Sequence, residues 1–164
     1  MNHKIYYKGR IRMDISFRKI ESEDYSKCAN ILMAAYIGEP WNNEWTKEEA
    51  LLRIEATMSG FNSRGYVIEE NNDIIAMCLG RIDYYYGNWS QYCVDEFNVD
   101  PTHQGRGVGK ELLRMMTNTL KKEEINSIFL LTGGEQAATF YEKNGFIKSN
   151  GGTMMAYDLQ NDHS

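Results

Sequence analysis

Apolar and polar residues alternate along this chain in two different periods, and the switches between them mark its elements. Ile15 to Ile20 alternates as a half-buried strand does. Tyr25, Cys28, Leu32, Ala35 and Tyr36 then recur at helical spacing, with Ser22 as the expected N-cap and Glu23 and Asp24 in the first turn. Gly38-Glu39-Pro40-Trp41-Asn42-Asn43-Glu44-Trp45 breaks that helix. Thr46 with Glu49 reads as the capping box of a second helix reaching about Ser59. Gly65 to Glu70 and Ile74 to Tyr84 read as two strands joined at Asn71-Asn72-Asp73.

The second half repeats strand and helix in alternation. Tyr92 to Val99 is a strand, and a helix starts near Arg106 with Val108, Leu112, Met115, Met116 and Leu120 on one stripe. Ser127 to Leu131 is a short apolar strand. Glu135 to Asn144 carries Ala137, Phe140 and Tyr141 on one helical face, and Gly145 sits where a C-cap requires positive φ. Phe146 to Lys148 and Thr153 to Leu159 read as two last strands joined through Asn150-Gly151-Gly152. The class is α/β with a mixed sheet.

Composition narrows the function classes. At 164 residues the chain is expected to form one domain, 13–164, preceded by a basic and aromatic extension, 1–12, to which no function is assigned. A net charge of −5 argues against nucleic acid as a partner and leaves room for a cationic one. Apolar runs are too short to span a membrane and no secretory leader follows Met1, so a cytoplasmic location without membrane contact is expected. Cys28, Cys78 and Cys93 are odd in number and far apart, which fits reduced thiols rather than a metal site.

The chemistry concentrates between Val99 and Lys110, V-D-P-T-H-Q-G-R-G-V-G-K. Glycines at 105, 107 and 109 let a ligand approach backbone N–H groups at a helix start, where an anion is favoured. Arg106 and Lys110 add positive charge, and no acidic residue intervenes between Asp100 and Glu111. A Walker loop would need a glycine at position 104 and a serine or threonine at 111, where the chain has Gln104 and Glu111. A dinucleotide fingerprint fails because position 110 is Lys. The pattern that fits is [RQ]-x-x-G-x-[GA], on Gln104, Gly107 and Gly109.

That pattern resembles the acetyl-CoA pyrophosphate loop of the GCN5-related N-acetyltransferase (GNAT) superfamily. The run F-Y-E-K-N-G-F, Phe140 to Phe146, resembles the last-helix signature of the same superfamily. The resemblance implies a central mixed sheet of about six to seven strands, flanked by about four helices, with splayed central strands that hold acetyl-CoA. It implies that Phe97, Asn98 and Val99 present backbone groups to pantetheine and that Gln104, Gly105, Arg106, Gly107, Val108, Gly109 and Lys110 cradle the pyrophosphate. It also implies that Tyr141 stands near the cofactor sulfur as a general acid, since a phenol with a pKa of about 10 can donate to a thiolate.

The base is open between Asp95, Glu96 and a water chain. As neighbours on a strand they are expected on opposite faces, so only one should meet the amine, unless a bulge reverses the alternation. Trp41, Trp45 and Tyr84 are candidate walls of the acceptor site, with a loop-anchoring role as the alternative for the tryptophans and packing for Tyr84. The implied reaction is acetyl transfer to a primary amine of a small cation, such as a polyamine, an aminoglycoside or an amino-acid-like metabolite. Acetylation of a protein N-terminus or lysine, and a catalytically silent acyl-CoA sensor, are the alternatives, and a homodimer is left open.

Overall fold

The structure, a computed structural model, describes residues 2–4, 14–157 and 159. It divides into two compact units, 1–131 and 132–164.

The first unit holds a six-stranded sheet in sequence order: β1 (Asn2–Lys4), β2 (Asp14–Lys19), β3 (Ser63–Glu70), β4 (Asp73–Tyr84), β5 (Ser90–Val99) and β6 (Ser127–Leu130). The first five are antiparallel neighbours, and β6 joins β5 in parallel. Of the expected extension 1–12, only Asn2–Lys4 lies among the described residues, as an edge strand on β2.

Helices α1 (Tyr25–Tyr36) and α2 (Lys47–Met58) cover one face of the sheet. Their Cys28, Ala29, Ile31, Leu32, Ala50 and Ile54 form one buried cluster with Val67, Ile74, Met77 and Leu79 of β3 and β4. The alternate positions Tyr66, Ile68, Cys78 and Tyr92 are also buried and belong to the other face. There α3 (Val108–Lys122) packs, with the expected stripe Val108, Leu112, Met115, Met116 and Leu120 buried. The three cysteines are free and buried.

Local chemistry accounts for most boundaries. Asn71 and Asn72 both take positive φ, 54° and 69°, which makes the β3–β4 connection a tight hairpin of the type whose twist matches its strands. Thr46 and Glu49 close the expected capping box reciprocally, at 2.8 and 3.2 Å. At α1 the N-cap is Asp24 rather than Ser22, and Glu21 caps the turn before it. A short 3₁₀ turn, Ser22–Asp24, precedes the helix, and Asp24 accepts from the Glu21 amide at 2.8 Å. Asp24 is chosen because Arg18 of β2 already grips it at 2.6 Å while also holding Glu69 at 2.7 Å. That guanidinium keeps both carboxyls below their usual range.

The second unit contains α4 (Glu135–Lys143). It ends in a Schellman motif: the Phe146 amide donates to the Tyr141 carbonyl at 3.1 Å and the Gly145 amide to Glu142 at 3.1 Å, with Gly145 at φ 93°. The rings of Tyr141 and Phe146 meet at 5.3 Å, the apolar contact that accompanies this cap. The strands expected at Phe146–Lys148 and Thr153–Leu159 do not form among the described residues, and Asp158 lies outside them. Turn residues alone do not make a hairpin: Ile147, Met154, Met155 and Tyr157 are exposed, so no buried face fixes a register.

The feature that shapes the site is a bulge in β5. Leu79 pairs with Glu96 but Gly80 pairs with Val94, so Asp95 is an extra residue. Gly80 makes the close approach possible, because a Cβ there would lie 2.1 Å from the Cys93 carbonyl oxygen and 3.0 Å from the Tyr92 ring. Both obstacles belong to the sheet and cannot swing away. Gly80→Ala should therefore lower stability by about 1–3 kcal/mol, measured as a fall in the urea midpoint. An unchanged midpoint would mean that β5 can retreat without losing its pairing.

Candidate active site

The bulge overturns the expectation that Asp95 and Glu96 face opposite ways. Glu96 lies under α1 and α2: its Oε1 accepts from Arg53 Nε at 2.9 Å and its Oε2 from Tyr36 Oη at 3.0 Å. Asp95 Oδ1 accepts from Arg81 at 2.8 Å, and Arg81 shares the face of Leu79 and Met77. Two consecutive carboxylates thus occupy the α1/α2 face. They differ in environment. Glu96 is 6% exposed with both oxygens engaged, whereas the Asp95 side chain is 25% exposed and its Oδ2 accepts no hydrogen bond among the described residues.

Aromatic rings gather beside Glu96. Trp41 meets Tyr36 edge-on at 5.7 Å, and Trp45 lies at 6.3 Å from the same ring. Trp41 is 41% exposed, while Trp45 is packed on the α1/α2 core with its Nε1 buried and unpartnered among the described residues. Burial and the neighbouring Glu96 carboxylate push the Tyr36 phenol well above its ordinary range, so it remains a donor to Glu96. Tyr84 is not part of this cluster. It ends β4 opposite Ser90, five residues or about 17 Å along the strand from Leu79. There it lines a separate cavity of about 460 Å³ with Tyr85, Trp89, Arg64 and Glu123.

Farther along β5 the pairing changes. β6 accompanies β5 only from Gln91 to Val94, whereas β5 runs on to Val99. The pairing stops where β6 itself ends, at Leu130. The Asp100 amide bonds to the Ile75 carbonyl at 2.9 Å, so by alternation the backbone groups of Asn98 turn toward β4, and those of Phe97 and Val99 turn away from it. Asn98 is therefore not positioned to pair its backbone with a ligand. Val99's carbonyl accepts from Gln104 Nε2 at 3.1 Å, which ties the strand to the following loop.

That loop ends in an open helix start. Helix α3 begins at Val108, two residues later than expected, because Gly107 occupies the N-cap in the left-handed region at φ 86°. Gly107 has no side chain to cap the first turn, so the amides of Val108, Gly109 and Lys110 have no acceptor within the helix. Gly105, at φ 72°, has no heavy atom within 4 Å of where a Cβ would stand. The arrangement can take an anion. Its charge is smaller than the loop's own sequence implies, because Glu70 of β3 reaches in to pair with Arg106 at 3.1 Å and His103 at 3.3 Å.

Tyr141, in the second unit, packs edge-on against Phe140 at 5.2 Å. Three residues that shape the site are not marked out for it by the sequence: Tyr36, Arg53 and Arg81. Tyr36 lies within a helical stripe and reads as core, and nothing in the sequence pairs the two arginines with acids 43 and 14 residues away.

Residues 61–148, more than half of the chain, match the family model described as the acetyltransferase (GNAT) domain. The chain belongs to the GNAT acetyltransferase family. No curated protein sequence matches it. Among solved structures, this GNAT protein is similar to a possible acetyltransferase from Clostridium difficile 630, with a TM-score of 0.77 and 17% identity over 88% of this chain and 97% of that one. It is similar to a GNAT family acetyltransferase from Staphylococcus aureus, with a TM-score of 0.68 and 18% identity over 87% and 98%. It is also similar to an aminoglycoside acetyltransferase from an uncultured soil metagenomic sample, in complex with sisomicin, with a TM-score of 0.69 and 14% identity over 88% and 96%. At these identities the likeness is one of fold, and the family membership makes this GNAT protein an N-acetyltransferase.

The two acids should separate experimentally. Glu96→Gln strands the buried Arg53 contact and should cost about 1–3 kcal/mol of stability. Asp95→Asn, at an exposed pair, should cost at most about 1 kcal/mol and instead alter acceptor kinetics. Thermal melts and steady-state rates on both variants check this. Full activity of Asp95→Asn at every pH would remove it from the chemistry.

Proposed function

We propose that the protein transfers the acetyl group of acetyl-CoA to the primary amine of a small cationic molecule by direct attack within a ternary complex. A polyamine, an aminoglycoside and an amino-acid-like metabolite are the acceptor classes. The observation that carries this reading is the β5 bulge. It gathers Asp95 and Glu96 on one face beside Tyr36 and Trp41, on the strand that leads into the open start of α3.

The loop fits the cofactor. Its uncapped amides, its left-handed N-cap glycine and the unfilled space at Gly105 suit a pyrophosphate, with Gln104, Gly105, Arg106, Gly107, Val108, Gly109 and Lys110 holding it. Lys110 has no carboxylate within 4.0 Å among the described residues, so its charge is available there. Beyond the end of β6, the backbone of Phe97 and the amide of Val99 face away from β4. When bound, acetyl-CoA supplies the activated acyl group as a thioester.

The chain's own residues divide the remaining work. Asp95, with one oxygen unengaged, attracts the acceptor ammonium and takes its proton, directly or through water. Glu96, saturated by Arg53 and Tyr36, is a positioning residue that braces α1 and α2 against the bulge. Trp41 offers an aromatic wall, a surface that attracts cations. Tyr141, in the second unit, takes from the family resemblance the role of proton donor to the leaving thiolate.

Release of free thiol from acetyl-CoA across a panel of amines tests the reading. Turnover with a cationic small amine is expected. Cofactor binding without thiol release on any amine would make the protein a silent acyl-CoA binder, and release only with peptides would make it a protein acetyltransferase.

Two substitutions probe the assigned roles. Gly107→Asp places a carboxylate at the open helix start and should abolish the rise in melting temperature that acetyl-CoA produces, with the unliganded melt still cooperative. Undiminished stabilisation by CoA would move the pyrophosphate elsewhere. Tyr141→Phe keeps the ring packing and should reduce kcat by ~10²-fold with little change in acetyl-CoA affinity. Wild-type turnover in that variant would reduce Tyr141 to a packing residue.

A further inference from the structure

The charges on the α1/α2 face do not balance. Asp83, Asp95 and Glu96 are three carboxylates, and the guanidinium groups paired with them are two, Arg53 and Arg81. Glu96 takes Arg53 for itself in a buried contact. Arg81 is divided between the other two acids, with Nε 3.2 Å from Asp83 Oδ1 and a terminal nitrogen 2.8 Å from Asp95 Oδ1. One negative charge is left over. Asp83 has a further donor, the Cys93 thiol, at 3.1 Å on its Oδ2.

Asn98 lies two residues beyond Glu96 on the same face, about 7 Å along the strand. It is 5% exposed, and its Oδ1 is buried with no hydrogen-bond partner among the described residues.

We propose that Arg81 is a stand-in for the acceptor's ammonium and sets the selectivity of the site for cations. It occupies Asp95 until a cationic amine displaces it, and it then withdraws wholly onto Asp83, where it already has a contact. Because the displaced guanidinium keeps a carboxylate partner, the exchange leaves no charge unpaired. A neutral acceptor carries no charge with which to displace Arg81 from Asp95 Oδ1 and leaves the excess negative charge of this face unanswered. The proposal deepens the amine-acceptor reading given above and rests on it for the identity of the ligand.

Binding of putrescine, measured by calorimetry without any acetyl donor, tests the exchange apart from catalysis. Removing the competitor with Arg81→Gln should tighten binding about threefold to fivefold, the range set by a partly exposed ion pair. Arg81→Lys should return affinity toward the parent value. Asp83→Asn removes the place of retreat and should weaken binding by a similar factor in the parent, with no effect in the Arg81→Gln background. Weaker or unchanged binding in a folded Arg81→Gln protein would overturn the proposal, as would equal effects of Asp83→Asn in both backgrounds. If putrescine binds as expected and no amine releases thiol, the acetyl-transfer reading fails while the exchange stands.

Discussion

The site depends on one backbone contact, the close approach of Gly80 to the Cys93 carbonyl where β5 gains a residue. A regular ladder would send Asp95 and Glu96 to opposite faces, one toward α3 and one toward α1 and α2. The extra residue cancels the alternation, and two carboxylates share a surface. Their partners then follow, since buried carboxylates are kept only where donors meet them. Tyr36 and Arg53 come from the two helices above, and Arg81 comes from the neighbouring strand.

The same strand divides the labour of the site along its length. Its first half is held on both sides, by β4 and β6, and forms the rigid base. Its second half keeps β4 but runs on past the end of β6. At its end Gln104 fastens the loop to Val99, and the loop delivers an uncapped helix start. The doubly paired strand, its singly paired continuation and the uncapped helix start thus succeed one another on a single segment.

Electrostatics here is a matter of pairing more than of net charge. The −5 of the whole chain says little about the loop, where Glu70 offsets part of the charge of Arg106. It says equally little about the α1/α2 face, where arginines answer most of the acidic charge. The balance at each place is set by residues distant in sequence. It decides which charge is left for a ligand.

Much of this was legible in the sequence because it is local. The stripe from Val108 to Leu120, the Thr46–Glu49 box, the Asn71–Asn72 hairpin and the Gly145 cap each depend on side chains within one or two turns, and each formed as read. The glycine pattern likewise marked the open helix start, since an N-cap without a side chain is a property of the chain itself. The final strands were misread for the complementary reason: Asn150-Gly151-Gly152 specifies a turn, and only a buried face could have specified the pairing. The bulge, the partners of the two acids, the turn of Asn98 toward β4 and the distance of Tyr84 from Glu96 were decided by tertiary structure alone. Each depends on which strand lies opposite and in what register, and that information is spread over residues dozens of positions apart.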